Sequence, residues 1–321
     1  MRALIGCTGF VGQNLQSTME FDRLYNSRNI AEIRGEAFEL IVCCGAPAEM
    51  WLANNWPDAD RSNIAGLIGH LRSCSFRDLV LVSTIAVLTN PAAGYDERTA
   101  RYGSESPYGQ NRRFLEEALS AGPGNIHIVR LPALFGRGLK KNFLFDILNP
   151  IPSFLKRSAF TALWEHQSKP ISTLLDHYFI YDEGLEIYRF RRANADAGDC
   201  QRLVDVLQQS RLTAIHFTNS GSVFQYYDLN SLSADIERVL AEGIPVMHLT
   251  SEPMEATGIH LALTGRQFDN PLPRIHVEDM RTRHGAAWGV GGSYIYSADQ
   301  TLKALRKFFA ERGRLSEARS L

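Results

Sequence analysis

The sequence predicts an α/β architecture, a doubly wound parallel sheet with a smaller mixed C-terminal subdomain. Three observations predict it. Short apolar runs alternate with helical patterns over residues 1–135. Two of those runs, 40–44 (LIVCC) and 79–82 (LVLV), are continuously apolar, as strands buried on both faces require. A glycine-rich turn follows the first run and opens the first helix.

The elements follow in order. Residues 3–6 form a first short strand, and 10–19 a helix. A second strand is expected near 21–25, ahead of the buried strand 40–44. A helical stretch at 64–71 precedes the strand 79–82. Pro107 starts a helix whose face is Tyr108, Arg112, Leu115 and Leu119, and Gly122-Pro-Gly124 stops it. Strand 126–131 follows. The stretch 149–212 is less periodic and rich in aromatics, with a basic cluster at Arg189, Arg191 and Arg192. Periodicity returns with a strand at 214–217, an amphipathic helix at 229–240, a strand at 246–249 and a helix at 299–312. The expected division is therefore a dinucleotide-binding domain at 1–148, its sheet completed by about 214–262. Residues 149–213 and 263–321 form the substrate-side subdomain.

Composition narrows the function classes. The chain has 321 residues, 45% apolar and 21% charged, with a net charge of −1. That suits a globular protein and provides no global basic field for nucleic acid or an anionic membrane. No run reaches the ~18 apolar residues of a membrane span. The first strand starts at Met1 without a basic leader, so a cytoplasmic, soluble protein is expected. The five cysteines contain no C-x-x-C pair and read as free thiols. The nine histidines lack H-x-x-x-H and H-E-x-x-H spacing, so no metal site is expected. His248, inside an apolar strand, reads as a satisfied core residue, and Phe224, Tyr226 and Tyr227 read as packing.

Gly6-Cys-Thr8-Gly9-Phe10-Val11-Gly12 carries the strongest functional signal. The first glycine permits a sharp turn, the second a close approach to a pyrophosphate, and the third tight helix–strand packing. The helix start supplies unpaired N–H groups to an anion. The loop is therefore expected to be the dinucleotide site of a Rossmann fold, the alternative being an ordinary tight turn. After the second strand stand Asn26, Ser27, Arg28 and Asn29, with no carboxylate to bind ribose hydroxyls. Ser27 and Arg28 suit a 2′-phosphate, so NADP is preferred, with NAD the alternative.

The G-x-x-G-x-x-G spacing resembles that of the extended short-chain dehydrogenase/reductase superfamily, the epimerase/dehydratase group acting on nucleotide sugars. Further stretches resemble it in the same order: Cys43-Cys44-Gly45-Ala46-Pro47, Leu79-Val-Leu-Val-Ser-Thr84, Ser106-Pro-Tyr108-Gly-Gln-Asn-Arg112 and Val129-Arg-Leu-Pro132-Ala-Leu-Phe-Gly136. Phe224-Gln-Tyr-Tyr-Asp228 resembles a later segment. The likeness covers about 1–145 well and 214–262 loosely. It implies that Cys44, Gly45, Ala46 and Pro132 flank the cofactor. It also implies a catalytic set of Thr84, Tyr108 and Arg112, the last standing where the family has lysine. A phenol is a poor base at neutral pH unless a cation favours its phenolate. Arginine keeps the charge on the tyrosine's helix face but not the compact ammonium. Ser83 is an alternative to Thr84, although strand alternation turns the two to opposite faces.

On the substrate side, Arg137, Lys140 and Asn142, with Lys141, follow the Phe135-Gly136 turn, where the resemblance implies a nucleotide-sugar pyrophosphate. Arg274, Arg281, Arg283 and His284 form a second basic group. No carboxylate stands beside Thr84, where a dehydratase would want one: Ile85 and Ala86 follow it. Two functions stay open. One is an NADP-dependent oxidoreductase or epimerase on a nucleotide-activated sugar. The other is a non-catalytic NAD(P)-binding module, redox-sensing or partner-binding. A small-molecule substrate is the expected partner, with no nucleic acid or membrane, and a homodimer is left open.

Overall fold

A computed structural model describes residues 1–103 and 105–317, with side chains to 312 except Asn194. The chain divides into two compact units. One holds 1–139, 223–255 and 276–321, and the other holds 140–222 and 256–275.

The first unit is built on a six-stranded sheet. Its strands are β1 (Arg2–Ile5), β2 (Arg23–Tyr25), β3 (Ala37–Cys43), β4 (Ser75–Thr84), β5 (Asn125–Leu131) and Val246–His248. The spatial order is Val246–His248, β5, β4, β3, β1, β2. Every neighbouring pair is parallel. From β1 the chain moves outward to β2, then returns across β1 to β3. That reversal makes the C-terminal end of β1 the switch point, where open α/β sheets bind ligands.

The apolar strands divide their residues between two cores, as a two-residue period dictates. Leu4, Leu40, Val42, Val80 and Val129 face one core with Leu15, Leu232, Ile236 and Val239. Ala3, Ile5, Ile41, Cys43, Leu79 and Leu81 face the other. The second core is closed by Ile64 and Ile68 of α3 (Pro57–Leu71) and by Leu115 and Leu119 of α4 (Pro107–Ser120). Both helices begin on proline, whose fixed φ and missing N–H suit the first turn. α1 (Phe10–Leu15) and the helix Leu232–Ala241 lie on the first face. α2 (Met50–Asn55) bridges the end of β3 to α3.

The second unit has a three-stranded antiparallel sheet, Phe154–Lys156, Ile187–Phe190 and Phe179–Asp182, the middle-named strand central. Its aromatics pack among themselves: Phe160 stacks on Tyr188 at 3.7 Å. The basic cluster is partly paired, Arg189 with Asp182 at 2.8 Å and Arg192 with the Ile151 carbonyl at 2.7 Å. Burial pushes Asp146 up to about 7, opposed by Arg192.

Three boundaries differ from the sequence reading. Residues 276–321 belong to the first unit, where Val277 bridges Val223 and Phe308 packs on Phe135 at 5.8 Å. Residues Ala214–Phe217 form a 3-10 turn in the second unit, in place of a sheet strand. Their run is too short for its period to decide, and Phe217 is 55% exposed. The first helix ends at Leu15, after which Ser17 and Thr18 bond back to the Asn14 and Leu15 carbonyls.

Candidate active site

The glycine loop closes at the switch point as its spacing requires. Gly6 has φ +86°, and a Cβ there would lie 2.4 Å from the Cys44 carbonyl oxygen. A Cβ on Gly12 would lie 2.2 Å from the Gly6 carbonyl oxygen. Both positions therefore exclude any side chain. Gly6 and Cys7 donate backbone bonds to Tyr25 at 2.8 and 3.1 Å, and Gly9 donates to Gly6 at 3.0 Å. The loop is clamped by side chains of α1 and the turn beyond it: Gln13 Nε2 donates to Thr8 O at 2.9 Å and Gln16 Nε2 to Cys7 O at 2.6 Å. No side chain caps α1 at Gly9, and its first turn holds no acid. The amides of Phe10, Val11 and Gly12 thus start the helix without intrahelical acceptors.

The second-strand turn is built by two asparagines. Asn26 N donates to Asn29 Oδ1 at 2.8 Å, Asn29 Nδ2 to Leu24 O at 3.0 Å, and Arg28 N to Asn26 Oδ1 at 2.9 Å. Asn26 Nδ2 also reaches Cys7 Sγ at 3.9 Å, tying this turn to the glycine loop. Ser27 and Arg28 are left exposed on it. Cys44 lies beside Gly6, and burial holds its thiol well above the usual range, so it is a neutral wall.

The proposed catalytic hydroxyls separate by face. Ser83 donates to buried Glu116 at 2.6 Å, whereas Thr84 Oγ1 accepts from Ala86 N at 3.2 Å at the start of a 3-10 turn. Glu116, fully buried, also pairs with Arg130 through bonds of 3.0 and 2.7 Å and with Arg113 at 3.0 Å. Arg130 meets His248 Nε2 at 3.0 Å, and His248 Nδ1 meets the Arg281 carbonyl at 2.8 Å. A neutral imidazole fits both contacts, accepting at Nε2 and donating at Nδ1. Burial keeps His248 below the usual histidine range. The expectation of a satisfied core histidine agrees with this geometry.

Tyr108 is 8% exposed, and its amide donates to Asn54 Oδ1 at 3.0 Å. Arg112 lies over its ring, Cζ 4.4 Å from the centroid. The same guanidinium also meets a carboxylate. Its Nη1 and Nη2 each donate to a carboxylate oxygen of Asp60 at 3.0 Å, and Nη2 also donates to the Pro47 carbonyl. The pair is buried, with side chains 3% and 6% exposed. The arginine's charge is thereby matched by a carboxylate that the sequence reading did not single out. Asp60 sits in the first turn of α3 among other charges, where the pattern reads as a solvated helix start; its partner is 52 residues away.

Pro132 is buried just beyond β5, and Gly45 and Ala46 lie in the turn after β3. Arg137 is exposed; its backbone is held by Asn14, which accepts from Arg137 N at 3.0 Å and donates to Arg137 O at 2.9 Å. Lys140 and Asn142 belong to the second unit. Asn142 is also a helix cap: at φ 95° its Oδ1 accepts from Leu144 N and Phe145 N, so this oxygen serves the helix start. The residues of the second basic group belong to both units. Arg274 lies in the second unit, while Arg281 pairs with Asp279 at 2.7 Å in the first. Among the described residues no cluster of His, Cys, Asp or Glu is placed to hold a metal. No described helix is long and apolar enough to cross a membrane.

No protein-family model matches the chain, and no curated protein matches its sequence. Solved structures match its fold. The dTDP-4-dehydrorhamnose reductase of Yersinia enterocolitica is similar with a TM-score of 0.59 at 13% identity, over 96% of this chain and 98% of that one. The dTDP-4-dehydrorhamnose reductase of Bacillus anthracis, in complex with NADP, is similar with a TM-score of 0.58 at 13% identity, over 97% and 98%. The UDP-glucose 4-epimerase of Thermotoga maritima, with UDP-glucose, is similar with a TM-score of 0.57 at 10% identity, over 97% and 99%. Likeness at these identities establishes a shared fold.

Proposed function

We propose that the chain is an extended short-chain dehydrogenase/reductase: an NADP-dependent oxidoreductase or epimerase acting on a nucleotide-activated sugar. One observation carries the reading. Two glycines that admit no Cβ pack against each other at the switch point, directly before an uncapped helix start. That combination leaves backbone donors open to a pyrophosphate. Proteins of the same fold add support, since the Bacillus anthracis reductase binds NADP and the Thermotoga maritima epimerase binds UDP-glucose.

The residues divide the work. The amides of Phe10, Val11 and Gly12 would hold the pyrophosphate. Ser27 and Arg28, presented by the Asn26–Asn29 hydrogen bonds, would hold a 2′-phosphate, for which a guanidinium is well shaped. Cys44, Gly45, Ala46 and Pro132 would flank the cofactor. NADP, when bound, supplies the hydride donor or acceptor. Tyr108 moves a proton at the substrate hydroxyl through its phenolic oxygen. Thr84 Oγ1 orients that hydroxyl. Arg137 binds substrate phosphate.

The buried Asp60–Arg112 pair favours a second reading, a dinucleotide-binding module without hydride transfer, because the cation beside Tyr108 is already matched. Tyr108→Phe decides between them. It is expected to abolish NADPH-dependent turnover of a panel of UDP- and dTDP-linked sugars while leaving NADPH binding within about twofold, since a group acting only in proton transfer contributes ~10²–10⁴-fold to rate. Turnover that survives in the variant removes Tyr108 from the chemistry. Absence of turnover in the wild-type protein supports the binding module.

A further inference from the structure

We infer that Arg112, through Asp60, is a positioning residue: it staples the turn after β3 against the glycine loop, and this sets dinucleotide affinity. The inference rests on the reading that the loop binds NADP.

Four observations converge. First, the guanidinium joins three separate pieces of the unit: its own helix α4, Asp60 of α3, and the Pro47 carbonyl in the turn between β3 and α2. Second, Asp60 is itself held in place. Asn111 Nδ2 donates to its Oδ2 at 2.8 Å and to the Pro57 carbonyl at 3.0 Å. The carboxylate is therefore a fixed anchor. Third, the stapled turn forms the outer wall of the loop: Cys44 O and Gly45 N lie 2.4 and 2.9 Å from where a Gly6 Cβ would stand. A shift of this turn changes the space in which the loop closes. Fourth, the next helix carries the same constraint onward, since Asn54 of α2 accepts from Tyr108 N at 3.0 Å and from Ser106 Oγ at 2.8 Å. The turn and the helix that follows it are thus both held to α4, through Pro47 and through Asn54.

This geometry requires arginine. A planar fork with five donors can span both oxygens of Asp60 and reach a carbonyl at once. A lysine at 112 would keep the charge but not the three-way bridge. Its ammonium is a point donor on a shorter reach. The substitution that departs from the family pattern is, on this account, a change of task from charge to architecture.

Arg112→Lys is the discriminating variant, with Asp60→Asn as a second that keeps size and shape. Hydrogen exchange of residues 44–56 is followed in the full chain, alongside titration with NADPH. Both variants are expected to lose protection at 44–56 by tenfold or more while β4 and β5 keep theirs, and to bind NADPH about tenfold more weakly. The double variant should be no worse than either single one, because both remove the same bridge. If Asp60→Asn fails to fold, Arg112→Lys alone carries the test. Unchanged exchange at 44–56 in Arg112→Lys overturns the staple, as does loss of protection with wild-type NADPH affinity. If the wild-type chain does not bind NADPH, the cofactor reading fails on that ground, and the exchange data alone then uphold or overturn the staple.

Discussion

Gly12→Val is expected to abolish NADPH binding while leaving the protein folded. The added Cβ would meet the Gly6 carbonyl oxygen at 2.2 Å, the Gly6 carbonyl carbon at 2.9 Å and the Cys7 Cα at 3.0 Å. All three are backbone atoms, so no side chain can rotate away. Relief requires the loop to part from α1, which is the contact that aims the helix start at the ligand. Overpacking of this kind costs about 1–3 kcal/mol. Displacing several amide donors from a phosphate adds to that, because bonds to charged groups are worth about 1.5–3 kcal/mol each. A loss of at least a hundredfold in affinity follows. Fluorescence titration with NADPH reads the affinity, and circular dichroism reads the fold. Binding within tenfold of wild type would mean that the loop is an ordinary tight turn.

Glu116→Ala should be the most destabilising single change in the first unit. The carboxylate is fully buried and serves Ser83, Arg113 and Arg130 together. Without it Arg130, also fully buried, is left with a neutral histidine and Tyr102 beside it and no carboxylate bonded to it among the described residues. Breaking a buried ion pair from one side costs about 3–5 kcal/mol, because a charge is left without its counterpart. Burial alone would lower the Arg130 pKa; Glu116 first, and Tyr102 after it, raise it. Replacing both partners with apolar residues, Glu116→Leu with Arg130→Met, should recover most of the loss. Urea midpoints of the three proteins test this. A Glu116→Ala protein within 1 kcal/mol of wild type (about a fivefold change in the folding equilibrium) would show that the network carries little stability.

These two sites mark how much was legible in the sequence. The glycine loop was readable because its information is local: three glycines at fixed spacing, a strand before them and a helix after. The division of β3 and β4 between two cores was readable for a similar reason, since runs such as LIVCC have no polar face to expose. Arg112 shows the limit. Its position on the face of Tyr108 follows from helix spacing, but its meaning depends on Asp60, which only the packing of α3 on α4 brings near. Glu116 and Arg130 meet in the same way, one on a helix and one on a strand.

Asn142 is a different case. Its capping role has a readable signal, an asparagine immediately before the apolar Phe143-Leu-Phe run, and its basic neighbours Lys140 and Lys141 give a phosphate-side reading that the cap does not contradict. Ala214–Phe217 forms a 3-10 turn where a strand is expected, because four residues cannot separate a strand from a helical turn. Residues 276–321 were assigned away from the sheet because nothing in their composition announces the bridge from Val277 to Val223.

The central claim is that the cradle of Gly6 and Gly12 holds a dinucleotide whose 2′-phosphate meets Arg28. Parallel calorimetric titrations of the full chain with NADPH and with NADH, repeated with Arg28→Ala, test it most directly. The account predicts saturable one-to-one binding of both cofactors, with NADPH the tighter. It also predicts that Arg28→Ala removes that preference by weakening NADPH alone, by roughly ten- to a hundredfold for a lost charge-assisted bond. Failure of the wild-type chain to bind either cofactor would contradict the account.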